Sequence, residues 1–343
     1  MTMESIPDSQ NPAIYPWNQD LFAALLQRYQ RQQLAHALLL SGRAGLGKRA
    51  LARQLAASLL CSDFAMLNRA CGQCKSCQLM AADSHPDFLP IAAEKSSSGI
   101  LIDQIRQLNQ FAALKSQMGG MQVVLIEDAG RMNRNAANAL LKTLEEPNPN
   151  LYLILLTENA QGLLPTIRSR CQQYRCGEPD SESQRQWLHN KIPAASEAQL
   201  REALSMAYGA PPLAAALIEA DLPAAHQHQL KLFLSLAQGR LSAIEVATVW
   251  NSSDMETSLQ WLYAWVVDLI RFKSGVSLAD RYSDELRAEL CSVAQFLDID
   301  SLFDYYGRLL EALRIRHSQV NQQLLSEQLL IMWHGLCANS LQR

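Results

Sequence analysis

The sequence predicts an α/β fold, a mostly parallel sheet covered by helices on both faces, followed by helices alone. Three observations carry that prediction. Up to about residue 176, short apolar runs alternate with stretches of helical periodicity, the pattern of strand–helix–strand units. A glycine-rich P-loop, Gly42-Arg43-Ala44-Gly45-Leu46-Gly47-Lys48-Arg49, lies between the first apolar run and the helix after it, the context in which such a loop cradles phosphate. From about Gly177 no strand candidate remains.

At 343 residues the chain has room for two or three domains. Its 48% hydrophobic and 18% charged content reads as globular. The net charge is 30 − 33 = −3, so there is no global basic footprint for nucleic acid, and DNA contact must be local or come through partners. Met1 to Pro12 is polar and reads as a frayed tail, not a signal peptide. No apolar run approaches the ~20 residues of a membrane span, and the longest candidate, Leu259 to Ile270, is interrupted by Asp268. Four of the eight cysteines fall within seventeen residues. With nothing pointing to an oxidising compartment, a metal site is expected over disulfides, and the cytoplasm is the expected location.

In chain order, Tyr15-Pro16-Trp17 leads into a helix over Leu21 to Gln32, with Leu21, Ala24 and Leu25 on one face. His36 to Leu40 is the first strand and Ala50 to Leu60 the helix after the P-loop. Gly42, Gly45 and Gly47 let backbone N–H groups face a phosphate, and Lys48 supplies a positive charge for it. The motif wants Ser or Thr next, because that hydroxyl ligates Mg²⁺. Arg49 stands there instead, a cation that cannot ligate another and tends to repel it.

Cys61, Cys71, Cys74 and Cys77 follow with the spacing C-x₉-C-x₂-C-x₂-C. Four thiolates at such spacings can wrap one tetrahedral Zn²⁺, leaving no position for water, so the zinc expected is structural; free or redox-active cysteines are the alternative. The pairs Gly72-Gln73 and Lys75-Ser76 suit tight turns. His85 is expected as a solvent-facing or turn histidine before Pro86, with a ligand role the lesser alternative.

Asp87 to Ala92 reads as a strand, Ser96 to Gly99 as a turn, and Ile102 opens a helix with Leu101, Ile105 and Leu108 on one face. Gly119-Gly120 ends that unit. Val123 to Ile126 is a buried strand ending in Glu127-Asp128. Behind a P-loop, one such carboxylate holds Mg²⁺ through water and a second orients the attacking water; two acids at a strand end without a role are the bland alternative. Arg131 to Glu146 is a helix lined by Ala137, Leu140, Leu141 and Leu144 and stopped by Pro147. Leu151 to Thr157 is a further strand, closed by Glu158-Asn159. At the carboxyl ends of such a sheet Gly47, Asp128 and Asn159 would converge. Ser181 to Asn190, Ala198 to Tyr208 and Leu213 to Ala220 are short helices, the last two separated by Gly209-Ala210-Pro211-Pro212. Beyond Asp221 the chain reads as helical to its end, with stripes at Leu259, Leu262, Val266, Leu269 and Ile270, and at Leu325, Leu329, Met332 and Leu336.

The P-loop, the four-cysteine insert, Leu140-Leu141-Lys142-Thr143-Leu144-Glu145-Glu146-Pro147 and Ser169-Arg170-Cys171 occur together and in this order. The chain thereby resembles the AAA+ clamp-loader subunits of bacterial DNA polymerase III, the delta-prime kind most of all, from about Trp17 to the last helix. The resemblance implies three domains. An AAA+ nucleotide-binding-like domain over 1–176 would carry the zinc module at 61–77, a small helical lid would span 177–220, and a helical collar for oligomerisation 221–343.

It implies a complex that opens a ring-shaped sliding clamp and closes it on primed DNA, with ATPase motor subunits and a clamp-opening subunit as partners, and no membrane. The departures from the pattern point to a non-motor role. Arg49 replaces the Mg²⁺ hydroxyl, Glu127-Asp128 reverses the usual Asp-Glu order, and the lid stretch Gly209 to Pro212 offers no cation for a γ-phosphate. ATP at this chain's own site is therefore expected to be weak or absent, and its hydrolysis negligible. The intact Ser169-Arg170-Cys171 implies that Arg170 acts in trans on a neighbour's ATP; pairing with a carboxylate at its own helix end is the alternative. Arg131, Arg134 and Lys142 are candidates for sequence-independent phosphate contacts with DNA, against a solvated helix face as the alternative. No independent activity is expected; a DNA-directed DNA polymerase, or nucleotidyltransferase, label would belong to the holoenzyme. The alternatives are an ATP-hydrolysing motor subunit and a stand-alone zinc-containing nucleotide-binding protein.

Overall fold

The computed structural model describes residues 14–93, 99–207, 209–251, 255–276, 278, 282–315 and 321–341. The expected frayed tail, Met1 to Pro12, lies outside them, as do Ser96, Ser97 and Ser98 of the expected turn and Tyr208 at the end of an expected helix. The chain divides into two compact units, Pro7–Glu182 and Ser183–Arg343. Among the described residues no helix is long and apolar enough to cross a membrane.

In the first unit a 3-10 turn at Pro16–Asn18 leads into α1 (Gln19–Gln30), followed by β1 (Ala37–Ser41) and α2 (Lys48–Leu60). Two short helices, α3 (Phe64–Leu67) and α4 (Lys75–Ala81), precede β2 (Phe88–Ile91), α5 (Ile102–Ala113) and β3 (Gln122–Ile126). Then come α6 (Arg134–Glu145), β4 (Leu151–Thr157), α7 (Pro165–Arg168) and β5 (Gln172–Arg175). The sheet order is β2-β3-β4-β1-β5, and every pairing is parallel.

Alternation along each strand splits the core in two. Ala37 and Leu39 of β1, Val124 and Ile126 of β3, and Leu153 and Leu155 of β4 pack with α5 and α6. Leu38, Leu40, Val123, Leu125, Ile154 and Leu156 pack on the other face with α1 and α2. Strands buried on both faces read as continuous apolar runs, which is why β1, β3 and β4 are evident in the sequence.

Three local differences have physical causes. β5 forms where no strand was expected: Gln172-Gln173-Tyr174-Arg175 has no apolar alternation, and its residues are half-buried or exposed. Pairing to β1 at the sheet edge supplies its order instead. Lys75 and Ser76 open α4 rather than a tight turn, because Cys74 caps it with a sulfur that accepts the Cys77 N–H. The helix expected from Arg131 is split: Ala129–Arg131 is a separate 3-10 turn, and α6 begins after Asn133, whose side chain accepts the Ala136 N–H at 2.8 Å.

The second unit begins within the first turn of α8 (Ser181–Lys191) and goes on with α9 (Glu197–Met206), α10 (Pro211–Glu219), α11 (Leu222–Ala237) and α12 (Ala243–Asn251). It continues with α13 (Met255–Lys273), α14 (Asp284–Phe296), α15 (Ile299–Ile315) and α16 (Gln322–Leu341). α9 starts at a Ser196/Gln199 capping box, and α10 starts on Pro211, a residue suited to a first helical turn. Phe233, Trp250, Trp265 and Trp333 are fully buried, with the Phe233 and Trp333 rings stacked at 4.3 Å. The α13 stripe is buried at Leu259, Leu262, Val266 and Leu269. On α16 the buried face is Leu325, Leu329, Leu330, Trp333 and Cys337, while Met332 and Leu336 are only half-buried. Apolar residues are spread around that helix, with Leu324 and Ile331 exposed, so periodicity alone does not select a face.

Candidate functional site

The P-loop leaves the end of β1, and Gly47 stands at the head of α2 in the left-handed region, φ 82°. A side chain there fails twice, since a Cβ would also fall 2.1 Å from Cδ2 of Tyr15. The segment before α1 closes on this loop. Trp17 Nε1 and Asn18 Nδ2 both donate to the Leu46 carbonyl, at 3.0 and 2.8 Å. Asn18 is fully buried, and its Oδ1 accepts the Gly177 N–H at 2.9 Å, tying the loop to the chain after β5. Tyr15 stacks on Trp17 with ring centres 5.1 Å apart. Sequence reasoning missed this three-residue brace. Its only signal is a pair of aromatics and an amide ahead of a helix, and nothing local says what they touch.

Lys48 Nζ donates to the carbonyls of Gly42 and Arg43, each at 2.7 Å. Burial pushes its ammonium below the ordinary lysine value, against the opposing pull of Glu158, Cys176 and Asp128. Arg49 reaches the end of β3, where its Nε lies 3.0 Å from Glu127 Oε1. The guanidinium thus sits on the first acid of the pair, which the sequence expects on the metal side. Asp128 is exposed, in the left-handed region at φ 53°, and heads the Ala129–Arg131 turn. Asn159, just past β4, is exposed and turns its Oδ1 onto the Gln161 N–H at 2.9 Å. The fold therefore carries Gly47, Asp128 and Asn159 to the carboxyl ends of three adjacent strands, but Asn159 is occupied as a local cap.

The sulfur atoms of Cys61, Cys71, Cys74 and Cys77 all lie within 4.8 Å of one another. Cys61 to Cys74 and Cys71 to Cys77 are each 3.9 Å. Four sulfurs around one Zn²⁺ with bonds of about 2.3 Å stand ~3.8 Å apart, so the donor set fits a tetrahedral ion. Backbone N–H groups of Cys71, Cys74 and Cys77 point at sulfurs of the cluster, at 3.4, 3.2 and 3.4 Å, which favours thiolate. At Cys74 burial raises the thiol pKa, but hydrogen bonds from the amides of Cys77 and Ser62 and from neighbouring thiols outweigh it and bring it to about 6. Burial pushes Cys77 up.

His85 is neither a ligand nor solvent-facing: it is 5% exposed. Its Nδ1 accepts the Asp87 N–H at 3.0 Å, so Nε2 carries the proton and donates to Ser76 Oγ at 2.7 Å. Ser76 in turn donates to the Leu60 carbonyl at 2.6 Å. This relay fastens α4 to the end of α2, on either side of the cysteines. An exposed turn was the reading of a His-Pro pair in isolation; the buried Ser76 hydroxyl is what draws the ring inward.

Arg170 follows α7. Its Nη2 lies 2.6 Å from Glu145 Oε1 at the end of α6, and its Nη1 donates to the Thr166 carbonyl at 3.0 Å. A carboxylate of its own helix end was the simple alternative for this arginine; the carboxylate comes from α6 instead. Arg131, Arg134 and Lys142 are all exposed. In the second unit, Gly209-Ala210-Pro211-Pro212 leads into α10 with no cation in the stretch.

Two family models match the chain: "DNA polymerase III, delta subunit" over residues 17–179, and "DNA polymerase III, delta subunit, C terminal" over residues 222–335. The DNA polymerase III subunit delta' of Pseudomonas aeruginosa is 37% identical over 330 residues, covering 94% of this chain and 98% of that one. The subunit delta' of Haemophilus influenzae is 32% identical, covering 92% of each chain. That of Escherichia coli is 33% identical over 264 residues, 77% of this chain and 78% of its own. Among solved structures, a DNA polymerase III gamma subunit-related protein of Thermotoga maritima aligns with a TM-score of 0.51 at 18% identity, covering 91% of this chain and 99% of the other. At that identity the likeness concerns the fold.

Proposed function

This chain belongs to the DNA polymerase III delta-prime family, and we propose that it serves as a non-motor subunit of that polymerase's clamp loader, helping to place the sliding clamp on primed DNA. Relatives of that name align along nearly its whole length, which supports the placement in the complex. The observation that carries the non-motor part is the Arg49–Glu127 ion pair. Mg²⁺ would need a hydroxyl at position 49 and an available carboxylate at the end of β3. Here one guanidinium removes the first and occupies the second. The surviving glycines and Lys48 are compatible with weak nucleotide binding without turnover.

The chemistry this chain contributes is then lent to a neighbour. Arg170 enters the ATP site of an adjoining motor subunit, where a permanently charged planar guanidinium stabilises the transferring phosphoryl group. The four cysteines hold a structural zinc. The short helices of 177–220 form a lid, and 221–343 a collar through which the subunits assemble. Arg131, Arg134 and Lys142 contact DNA phosphates in the assembled complex, with the salt dependence such contacts bring.

Reconstitution with the motor and clamp-opening subunits tests this reading. Arg170→Ala should fold and assemble yet lower DNA-stimulated ATP hydrolysis by roughly 10³-fold or more at the site it serves. Unchanged turnover rejects the role in trans. Brisk Mg²⁺-dependent hydrolysis by the isolated chain would favour a motor subunit instead.

A further inference from the structure

Glu145 closes α6, and Arg170 follows α7. Their ion pair brings together two positions far apart in the chain at 2.6 Å. Glu145 stands on a fixed helix. Leu140 and Leu144 are buried beneath it, Thr143 Oγ1 donates to Asn109 Oδ1 at 2.7 Å, and Asn109 Nδ2 donates to the Ala139 carbonyl at 3.1 Å. With Thr166 holding Nη1, the guanidinium is gripped at two of its nitrogens. An arginine has five N–H donors in a rigid fork, so the remainder stay available to an incoming oxyanion.

The grip is not a stabilising device for the fold. The side chains of Arg170 and Glu145 are 36% and 50% exposed, and exposed pairs of this kind add little to stability. What such a pair does supply is orientation for a long side chain that would otherwise sample many rotamers.

Resting on the proposed role of Arg170 in trans, we propose that Glu145 is a positioning residue. Its carboxylate presets the Arg170 guanidinium for the polyphosphate of the adjoining subunit, so that less order has to be gained at the moment of reaction.

The test uses the full chain in the reconstituted complex, with kcat and KM for ATP measured separately. Glu145→Ala should lower kcat about tenfold with KM unchanged, the scale of a modest misplacement. Glu145→Gln keeps an acceptor oxygen without the charge and should recover most of that loss. The double variant Glu145→Ala with Arg170→Ala should fall no further than Arg170→Ala alone, because the two act through one group. A wild-type kcat for Glu145→Ala beside an impaired Arg170→Ala overturns the positioning role and leaves the arginine's role standing. Independent, multiplying losses overturn it as well. A wild-type rate for Arg170→Ala overturns the role in trans itself.

Discussion

Arg49 shows how much one side chain can decide. Its exposed guanidinium and the more buried Glu127 carboxylate form a pair worth at most about 1 kcal/mol to the fold. Its weight is electrostatic and local. On the proposed reading, a cation paired to Glu127 works against a metal ion at the end of β3. Arg49→Thr restores the hydroxyl and frees Glu127. Mg-ATP binding to the isolated chain should then tighten by about tenfold, the worth of one charge-assisted contact. Titration calorimetry with Mg²⁺ and again with EDTA checks it. The gain should vanish with chelator; equal affinities for the variant and the natural chain would mean that the Arg49–Glu127 pair does not limit binding. Arg49 was legible in the sequence as a missing hydroxyl. Its partner was not, since spacing fixes neither which way a long side chain turns nor what it meets.

Between elements, the second unit is held by a buried polar relay as well as by apolar contact. Trp265 Nε1 on α13 donates to His226 Nε2 on α11 at 2.9 Å, and His226 Nδ1 then faces Glu202 Oε1 on α9 at 3.3 Å. Glu202 is 6% exposed and His226 4%. Three helices are thus joined through one imidazole whose tautomer is set by the indole. Removing it with His226→Ala leaves the buried Trp265 N–H and Glu202 Oε1 unpaired, while Gln227 Nε2 still donates to Glu202 Oε2 at 2.5 Å, and should cost about 2–3 kcal/mol. Urea unfolding measures it; a loss under about 1 kcal/mol would mean that water re-satisfies both groups. None of this shows in the pattern of the chain. Glu202 and His226 lie among other polar residues of α9 and α11 with no shared motif, and periodicity reports faces without pairing them.

Across the whole molecule, two compact units need not unfold together. The four cysteines lie wholly in Pro7–Glu182, where α3 and α4 are too short to persist without tertiary support. A metal bound to the folded cluster stabilises that unit alone, because the thiolates converge only there. Scanning calorimetry should therefore show two transitions, of which a strong chelator lowers only one. Cys74→Ser should do the same without chelator and reduce the bound zinc measured by elemental analysis. A uniform shift of both transitions would show the units to be thermodynamically coupled.

By itself the sequence determined the parallel sheet at β1, β3 and β4, the P-loop with its missing hydroxyl, the four-cysteine spacing and the all-helical second half. Each is a local pattern: a run, a motif or a period that its own residues impose. The edge strand β5, the inward turn of His85, the buried face of α16, the Tyr15-Trp17-Asn18 brace and the partners of Arg49 and Arg170 belong to the tertiary structure. They are contacts between segments distant in the chain, and for long or amphipathic side chains the neighbour that the fold brings near, not intrinsic preference, sets where they go.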